Sequence, residues 1–467
     1  MIWQHLAERV AAGGDHDAVL AGDRRLTYRE LAALTVSVAA SLPTAVAKPG
    51  RVLVRQKDPL AILVSTLACW YQGLVPVVLR EGMTDLQVDE MAAWLRPVAV
   101  LDLPLPDAVQ PAATAARTTT LGPRDEGLVI CTSGTTGRPK LVALPAESVV
   151  ITASAIGRAL ALEPLDRIAI NTPLGYMYGL LGGCTAGLLA GATCHLFSPR
   201  DPLTQLQAAI RRHGITVVQG PPSLFRMFMA YCNGEPFPSV RMVTTGGEPL
   251  GNDLVRDLER AFPRARKLFL YGMTEAGPRI SDLAIADGGG TDACVGVPYS
   301  HFEWRLDAVP GSDAGRFVIR GPSLFLGYVT ADGGYEGLDP EGFFHSNDLL
   351  SLGAHGRLHF RGRLDRIFRS GGRLVNPEAV ERVLASHPDV RDAVCQPESH
   401  PLLGLVPVAE VVLEPGASFD LASLKELCGQ HVEPHAIPRR IVATDGWDLA
   451  ESGKRRRPAG PQEQPPS

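Results

Sequence analysis

The chain has 467 residues, of which 45% are hydrophobic and 20% charged, with a formal net charge of -5. That length can bury one very large core or two to three ordinary ones, and the charge balance argues against nucleic acid or an acidic membrane surface as a partner. Eight cysteines (Cys69, Cys131, Cys184, Cys194, Cys232, Cys294, Cys395, Cys428) stand singly, without C-x-x-C pairs or histidines at zinc spacing, so neither a disulfide framework nor a zinc site is expected.

The first residues, Met1 to Val10, carry Glu8 and Arg9 within a helical apolar pattern rather than a basic start and a long apolar run. A cytoplasmic location is therefore expected. The pattern predicts a helix over Ile2 to Ala12, a hairpin over Ala18 to Leu26, a helix over Thr27 to Leu42 and a strand over Arg51 to Arg55. Leu60 to Leu79 is apolar enough to raise a membrane span, but Tyr71-Gln72-Gly73 interrupts it and Pro76 follows. A buried helix running into a strand over Leu74 to Leu79 is the better reading, and no membrane partner is expected. A helix over Thr84 to Trp94 and a strand over Val98 to Leu101 follow.

A linker rich in Pro, Ala and Thr, from Pro104 to Pro123, leads to a second alternating series that ends near Arg320. Alternation of this kind predicts an α/β fold with parallel, helix-covered sheets. From Phe343 the texture changes to short strands and tight turns, as in Leu349 to Gly356 and Arg357 to Arg361. Then come a helix (Pro377 to Ser386), a strand pair (Val390 to Cys395, Leu405 to Leu413), a helix (Leu421 to His431) and a strand (Arg440 to Ala443), which together read as a small α+β unit. The expected division is a large domain over 1–364, a mobile small domain over 365–457 and a disordered tail over 458–467.

The strongest local signal is Leu128 to Leu144, LVICTSGTTGRPKLVAL, two strand-like runs around a loop of Thr, Ser, Gly and one Lys. Gly134 and Gly137 let backbone N–H groups turn inward, Thr132, Ser133, Thr135 and Thr136 offer hydroxyl donors, and Lys140 adds a point charge. That composition suits phosphate, and it also suits an ordinary solvated turn. It is not the G-x-x-x-x-G-K-S/T loop of kinases and GTPases, because Arg138 and Pro139 separate the second glycine from the lysine.

The run resembles instead the phosphate loop of the adenylate-forming enzymes, the superfamily of acyl-CoA synthetases, peptide-synthetase adenylation domains and luciferases. Leu268 to Gly277, LFLYGMTEAG, is similar to that family's aromatic-Gly-x-Thr-Glu segment. The resemblance implies that Tyr271 stacks on adenine, Thr274 contacts the α-phosphate and Glu275 helps to hold Mg²⁺, with Gly272, Gly247 and Glu248 also in the ATP site. These are side chains suited to such work: a flat π-face, a hydroxyl and a hard carboxylate. It also implies that Asp348 and Arg363 bind the ribose, although this chain has Ser346-Asn347-Asp348 where the family usually shows Thr-Gly-Asp.

Gly362 to Glu381, GRLDRIFRSGGRLVNPEAVE, resembles the hinge of aryl- and acyl-CoA ligases. Asp365 falls at the pivot, and Ser370, Gly371 and Gly372 fall where the incoming pantetheine passes. Lys454, in Glu451-Ser452-Gly453-Lys454, resembles the family's mobile catalytic lysine. The acyl pocket implied by the resemblance takes in Tyr176, Tyr178, Gly179 and Gly183 of PLGYMYGLLGG, together with Pro221, Gly246 and Met273. No acidic residue lies between Pro173 and Gly183 to hold an α-ammonium ion, which disfavours an amino acid. The expected reaction joins a small acid, aryl, cinnamoyl-type or short acyl, to a thiol by way of an acyl-AMP, with ATP and Mg²⁺. The thiol is CoA or the phosphopantetheine of an acyl-carrier protein. Two alternatives stay open: attack by an amine on a carboxyl or nitrite adenylate, and a non-catalytic nucleotide-binding paralogue.

Overall fold

The computed structural model describes residues 2–44, 50–102, 104–106, 121–132, 140–198, 200–232, 234–285, 293–309 and 312–446. The chain forms two compact units, the first made of Met1–Glu303 with Ile319–Phe344, the second of Trp304–Val318 with the chain from His345 onward. This packing boundary falls ahead of residue 364, because strand Phe344–Leu352 pairs with Leu358–Arg363 and so draws the segment before the expected hinge into the second unit.

Two sheets organise the first unit. One runs in the order Gly277–Ala284, Arg266–Met273, Met242–Gly246, Val217–Gly220, Arg167–Ile170, Thr193–Leu196, Asp17–Ala21, Arg24–Thr27. Its neighbours pair in parallel except at the two edge strands. The other sheet runs Tyr335–Glu336, Gly327–Val329, Lys140–Pro145, Glu126–Thr132, Val75–Val78, Arg51–Val54, Ala99–Leu101, and is parallel from Glu126–Thr132 onward. Strands buried on both faces explain the near-continuous apolar runs in the sequence.

The apolar stretch read as a buried helix is one: Pro59–Gln72, with every residue from Leu60 to Gln72 buried. Asp58 caps its start by accepting from the Ala61 N–H at 2.8 Å, and Gly73 ends it in the left-handed region at φ +73°. No helix among the described residues is long and apolar enough to cross a membrane.

The second unit holds a sheet of Leu358–Arg363, Phe344–Leu352, Gly315–Arg320 and Glu303–Ala308, in that order. Its other sheet, built on the long antiparallel pair Val390–His400 and Gly404–Leu413, packs helices Pro377–Ala385 and Leu421–His431 around Val380, Leu384, Val411, Leu424 and Ile441.

His195, on strand Thr193–Leu196, is 4% exposed and its Nε2 has no hydrogen-bond partner among the described residues, with the His213 ring 5.1 Å away. Burial, then the neighbouring His213 and Arg167, depress its pKa from 6.5 to about 4. A depressed histidine stabilises the fold fully above its unfolded value and loses that contribution as protons bind between pH 6.5 and 4. The stability lost across that window is expected to be about 3 kcal/mol smaller in His195→Gln, as read by urea unfolding at each pH.

Candidate active site

In open α/β sheets ligands bind beyond the carboxyl ends of the strands, and here those ends carry the residues the sequence singled out. Strand Glu126–Thr132 is fixed at its start by a buried bidentate pair, Arg51 donating to Glu126 at 2.8 and 2.7 Å, with Tyr335 Oη donating to the same carboxylate at 2.6 Å. At its other end Thr132 pairs with Lys140 and its hydroxyl donates to the Lys140 carbonyl at 3.3 Å. Ser133, Gly134, Thr135, Thr136 and Gly137 lie outside the described residues.

The Lys140 ammonium lies 4.8 Å from the centre of the Tyr328 ring, and the Tyr328 hydroxyl donates to Glu275 Oε1 at 2.6 Å. A cation, a phenol and a carboxylate from three distant segments thus form one chain. Tyr328 carried no signal in the sequence. Only the antiparallel pairing of Gly327–Val329 with Lys140–Pro145 brings it here.

Thr274 and Glu275 sit in a single 3₁₀ turn, Thr274–Ala276, entered from the extended residue Met273, and the Glu275 carbonyl accepts from the Phe325 N–H at 2.7 Å. Tyr271 is buried on the strand that leads into this turn, while Gly272 is exposed. Gly247, at φ +81°, turns the chain out of strand Met242–Gly246 as few other residues could. Glu248 holds the protein's own backbone in place, since its carboxylate accepts from the Ser223 N–H at 3.0 Å and the Ser223 hydroxyl at 3.1 Å, at the start of the helix that follows Pro221.

The segment PLGYMYGLLGG is irregular in an informative way. Tyr178–Thr185 forms a π-helix, a rare form that recurs at functional sites. Gly183 is required there, since a Cβ would stand 1.9 Å from Gln219 Nε2. Tyr178 is half-buried with its hydroxyl engaged by Thr244, donating to the carbonyl at 3.0 Å with Oγ1 at 2.9 Å. Burial raises its phenol to about 12, against the pull of Thr244 and the nearby Arg279 charge. Gly179 opens this helix beside the Thr172 and Pro173 carbonyls, Gly246 lies against the Leu270 carbonyl, and Tyr176 lies against the guanidinium of Arg80. Around these strand ends stand buried polar atoms without a hydrogen-bond partner among the described residues: Asn171 Oδ1 and Nδ2, Thr172 Oγ1, Gln219 Nε2 and Thr245 Oγ1.

In the second unit Arg363 joins two carboxylates. It donates to Asp348 Oδ1 at 3.0 Å and, through two nitrogens, to both oxygens of Asp365 at 2.9 Å. Asn347, where the family usually has glycine, reaches Asp365 Oδ2 at 3.4 Å. Burial works to raise the Asp365 carboxyl, but Arg363, with help from Asn347, holds it below the usual carboxylate range. The next residue, Arg366, is fixed by Glu378 at 2.6 Å, Glu381 at 2.9 Å and the Cys395 carbonyl at 3.1 Å. The Asp365–Arg366 peptide therefore divides two separately anchored arginine clusters. Ser370 is buried, and Gly371 and Gly372, at φ +56° and +83°, make the tight turn between Phe368–Ser370 and Arg373–Val375. That turn alone accounts for a glycine pair. Lys454 lies outside the described residues.

The family model for AMP-binding enzymes matches residues 6–329, and the model for their C-terminal domain matches residues 379–454. The chain belongs to the AMP-binding enzyme family. Among its relatives are the methyl-dioxo-octahydroindenyl-propanoyl:CoA ligase of Mycobacterium tuberculosis, 29% identical over 488 residues and 95% of both chains, and the feruloyl-CoA synthase of Amycolatopsis sp, 28% identical over 464 residues and 94% of both. The fold is that of ATP-bound MatB from Rhodopseudomonas palustris, with a TM-score of 0.84 at 22% identity over 97% of this chain and 96% of that one. The family is one of AMP-binding enzymes, and both of these relatives are named as enzymes that make CoA thioesters.

For an AMP-binding enzyme the carboxylate that the sequence offers to a metal is Glu275. Among the described residues no cluster of three or more His, Cys, Asp or Glu side chains could hold an ion, so a cation here would take one carboxylate, phosphate oxygens and water. That donor set fits Mg²⁺, which keeps most of its waters and binds through one or two carboxylates plus substrate phosphates.

Proposed function

We propose that this enzyme adenylates a small organic acid, of aryl, cinnamoyl-type or short acyl character, and transfers it to CoA. The observation that carries this reading is the Lys140–Tyr328–Glu275 chain at the neck of the phosphate loop, with the Tyr178–Thr185 π-helix walling a site at the adjoining strand ends. Lys140 and the loop residues would hold the outgoing pyrophosphate, and Thr274 the α-phosphate. Tyr271 would face adenine, and Asp348 and Arg363 the ribose. Mg²⁺ held by Glu275 would neutralise charge on the phosphates.

The substrate carboxylate attacks the α-phosphorus, a carboxyl–phosphorus bond forms, and pyrophosphate leaves. Lys454 would stabilise the charge that builds between attacker and leaving group. A turn of the small domain at Asp365 would then bring Ser370-Gly371-Gly372 beside the pantetheine, whose thiolate displaces AMP from the acyl carbon. A carrier-protein pantetheine is the other acceptor this chemistry admits.

The test is pyrophosphate release from ATP and Mg²⁺ across aryl, cinnamoyl, short acyl, amino and inorganic acids, each with and without CoA. Release with one class of organic acid, together with its acyl-CoA, is the expected result. Acyl-AMP without acyl-CoA would move the acceptor to a carrier protein or an amine, release with nitrite alone would establish diazo chemistry, and no release with any acid would favour the non-catalytic paralogue.

A further inference from the structure

Tyr328 stands on a short hairpin. Strand Gly327–Val329 pairs with the two residues Tyr335–Glu336, Tyr328 opposite Glu336 and Val329 opposite Tyr335, and a ladder that short is marginal without tethers. The strands lie close together. A Cβ on Gly327, at φ +143°, would meet the Glu336 carbonyl at 2.7 Å, and one on Gly337, at φ +107°, would meet the Tyr328 ring at 3.0 Å. Strand Tyr335–Glu336 thus runs directly into the residue that backs the Tyr328 ring, and the Phe325 ring meets that ring edge-on at 5.1 Å.

Two side-chain bonds fix this hairpin to the rest of its unit. At the turn, the Trp94 indole N–H donates to the Thr330 carbonyl at 3.0 Å. On the outer strand, Tyr335 is 41% exposed, yet its hydroxyl donates at 2.6 Å to Glu126, which is 4% exposed. Arg51 already holds both oxygens of that carboxylate, at 2.8 and 2.7 Å, so the buried ion pair is complete in charge without the phenol. Burial, then the bond to Glu126, push the Tyr335 phenol up, which keeps it protonated and donating. What the bond supplies is a fixed point, because a bidentate guanidinium–carboxylate pair has a defined geometry and bonds to a charged acceptor are the strong ones.

We propose that Tyr335 is a positioning residue for adenylation: tied to the buried Arg51–Glu126 pair, it fixes the strand that backs Tyr328 and so holds that phenol on Glu275 and beneath Lys140. This rests on the adenylation reading above. Tyr335 acts through Tyr328, so removing its hydroxyl costs the enzyme only what a well-placed Tyr328 contributes.

The test is a double-mutant cycle of Tyr328→Phe and Tyr335→Phe, read as kcat and KM for pyrophosphate release, as a Mg²⁺ titration and as a thermal melt. Tyr335→Phe is expected to lower kcat about fivefold and raise the half-saturating Mg²⁺ concentration about twofold, with KM for the acid and the melting temperature near those of the wild type. In the double variant the losses should not multiply: its kcat should match that of Tyr328→Phe alone. An unchanged kcat in Tyr335→Phe overturns the proposal. So does a loss that multiplies with that of Tyr328→Phe, or one that follows only the folded fraction. Absence of release by the wild type with every acid overturns the adenylation reading itself, and with it this proposal.

Discussion

Lys454→Ala is expected to lower pyrophosphate release by about 1000-fold or more while ATP binding and the melting temperature stay near those of the wild type. The chemistry asks for a cation that meets the carboxylate oxygen and the α-phosphate together as charge builds, and an alanine can neither neutralise that charge nor align the two groups. On the proposed reading, binding of ATP would draw on other side chains, including Lys140, Asp348 and Arg363. The fold draws on cores such as the one around Val380, Leu384 and Val411. The measurement is single-turnover adenylation beside equilibrium ATP binding and a thermal melt. A variant that unfolded, or one that kept more than a tenth of wild-type adenylation, would refute the role.

The second large effect concerns Glu275. Its carboxylate is held by the Tyr328 hydroxyl at 2.6 Å, and that phenol lies under the Lys140 ammonium. Glu275→Gln keeps an acceptor for Tyr328 but removes the negative charge that a hard cation requires. The expected loss in kcat is about 100-fold, with the half-saturating Mg²⁺ concentration raised about 10-fold. Tyr328→Phe separates placement from charge: it leaves the carboxylate ionised but unheld, and should cost about 10-fold in kcat with a smaller shift in Mg²⁺ dependence. If Glu275→Gln shifted neither kcat nor the Mg²⁺ titration by more than threefold, the carboxylate would have no part in holding the metal.

Much was legible in the chain because it depends on local pattern. Leu60 to Leu79 reads as a buried helix running into a strand from its apolar run and the break at Tyr71-Gln72-Gly73, and the structure places a helix at Pro59–Gln72. The capping box at Thr27 and Glu30, and that at Thr84 and Gln87, mark helix starts within a residue of those expected. The family likewise follows from contiguous segments, LVICTSGTTGRPKLVAL and LFLYGMTEAG, whose residue order is itself the signal. The place of the Lys454 segment in the chain is read from sequence alone.

What the sequence left undetermined depends on residues far apart in it. Tyr328 joins Lys140 and Glu275 only because strand Gly327–Val329 pairs with Lys140–Pro145. Asn347 is a departure from a motif until the pairing of Asp348 with Arg363 brings it to Asp365. Glu248 reads as part of a glycine-rich nucleotide segment until the fold sets Ser223 against it. Periodicity and motif order are properties of neighbours along the chain, so the sequence determined the elements and the family. Burial and hydrogen-bond satisfaction are properties of neighbours in space, so only the tertiary structure decided which charges are paired and with what.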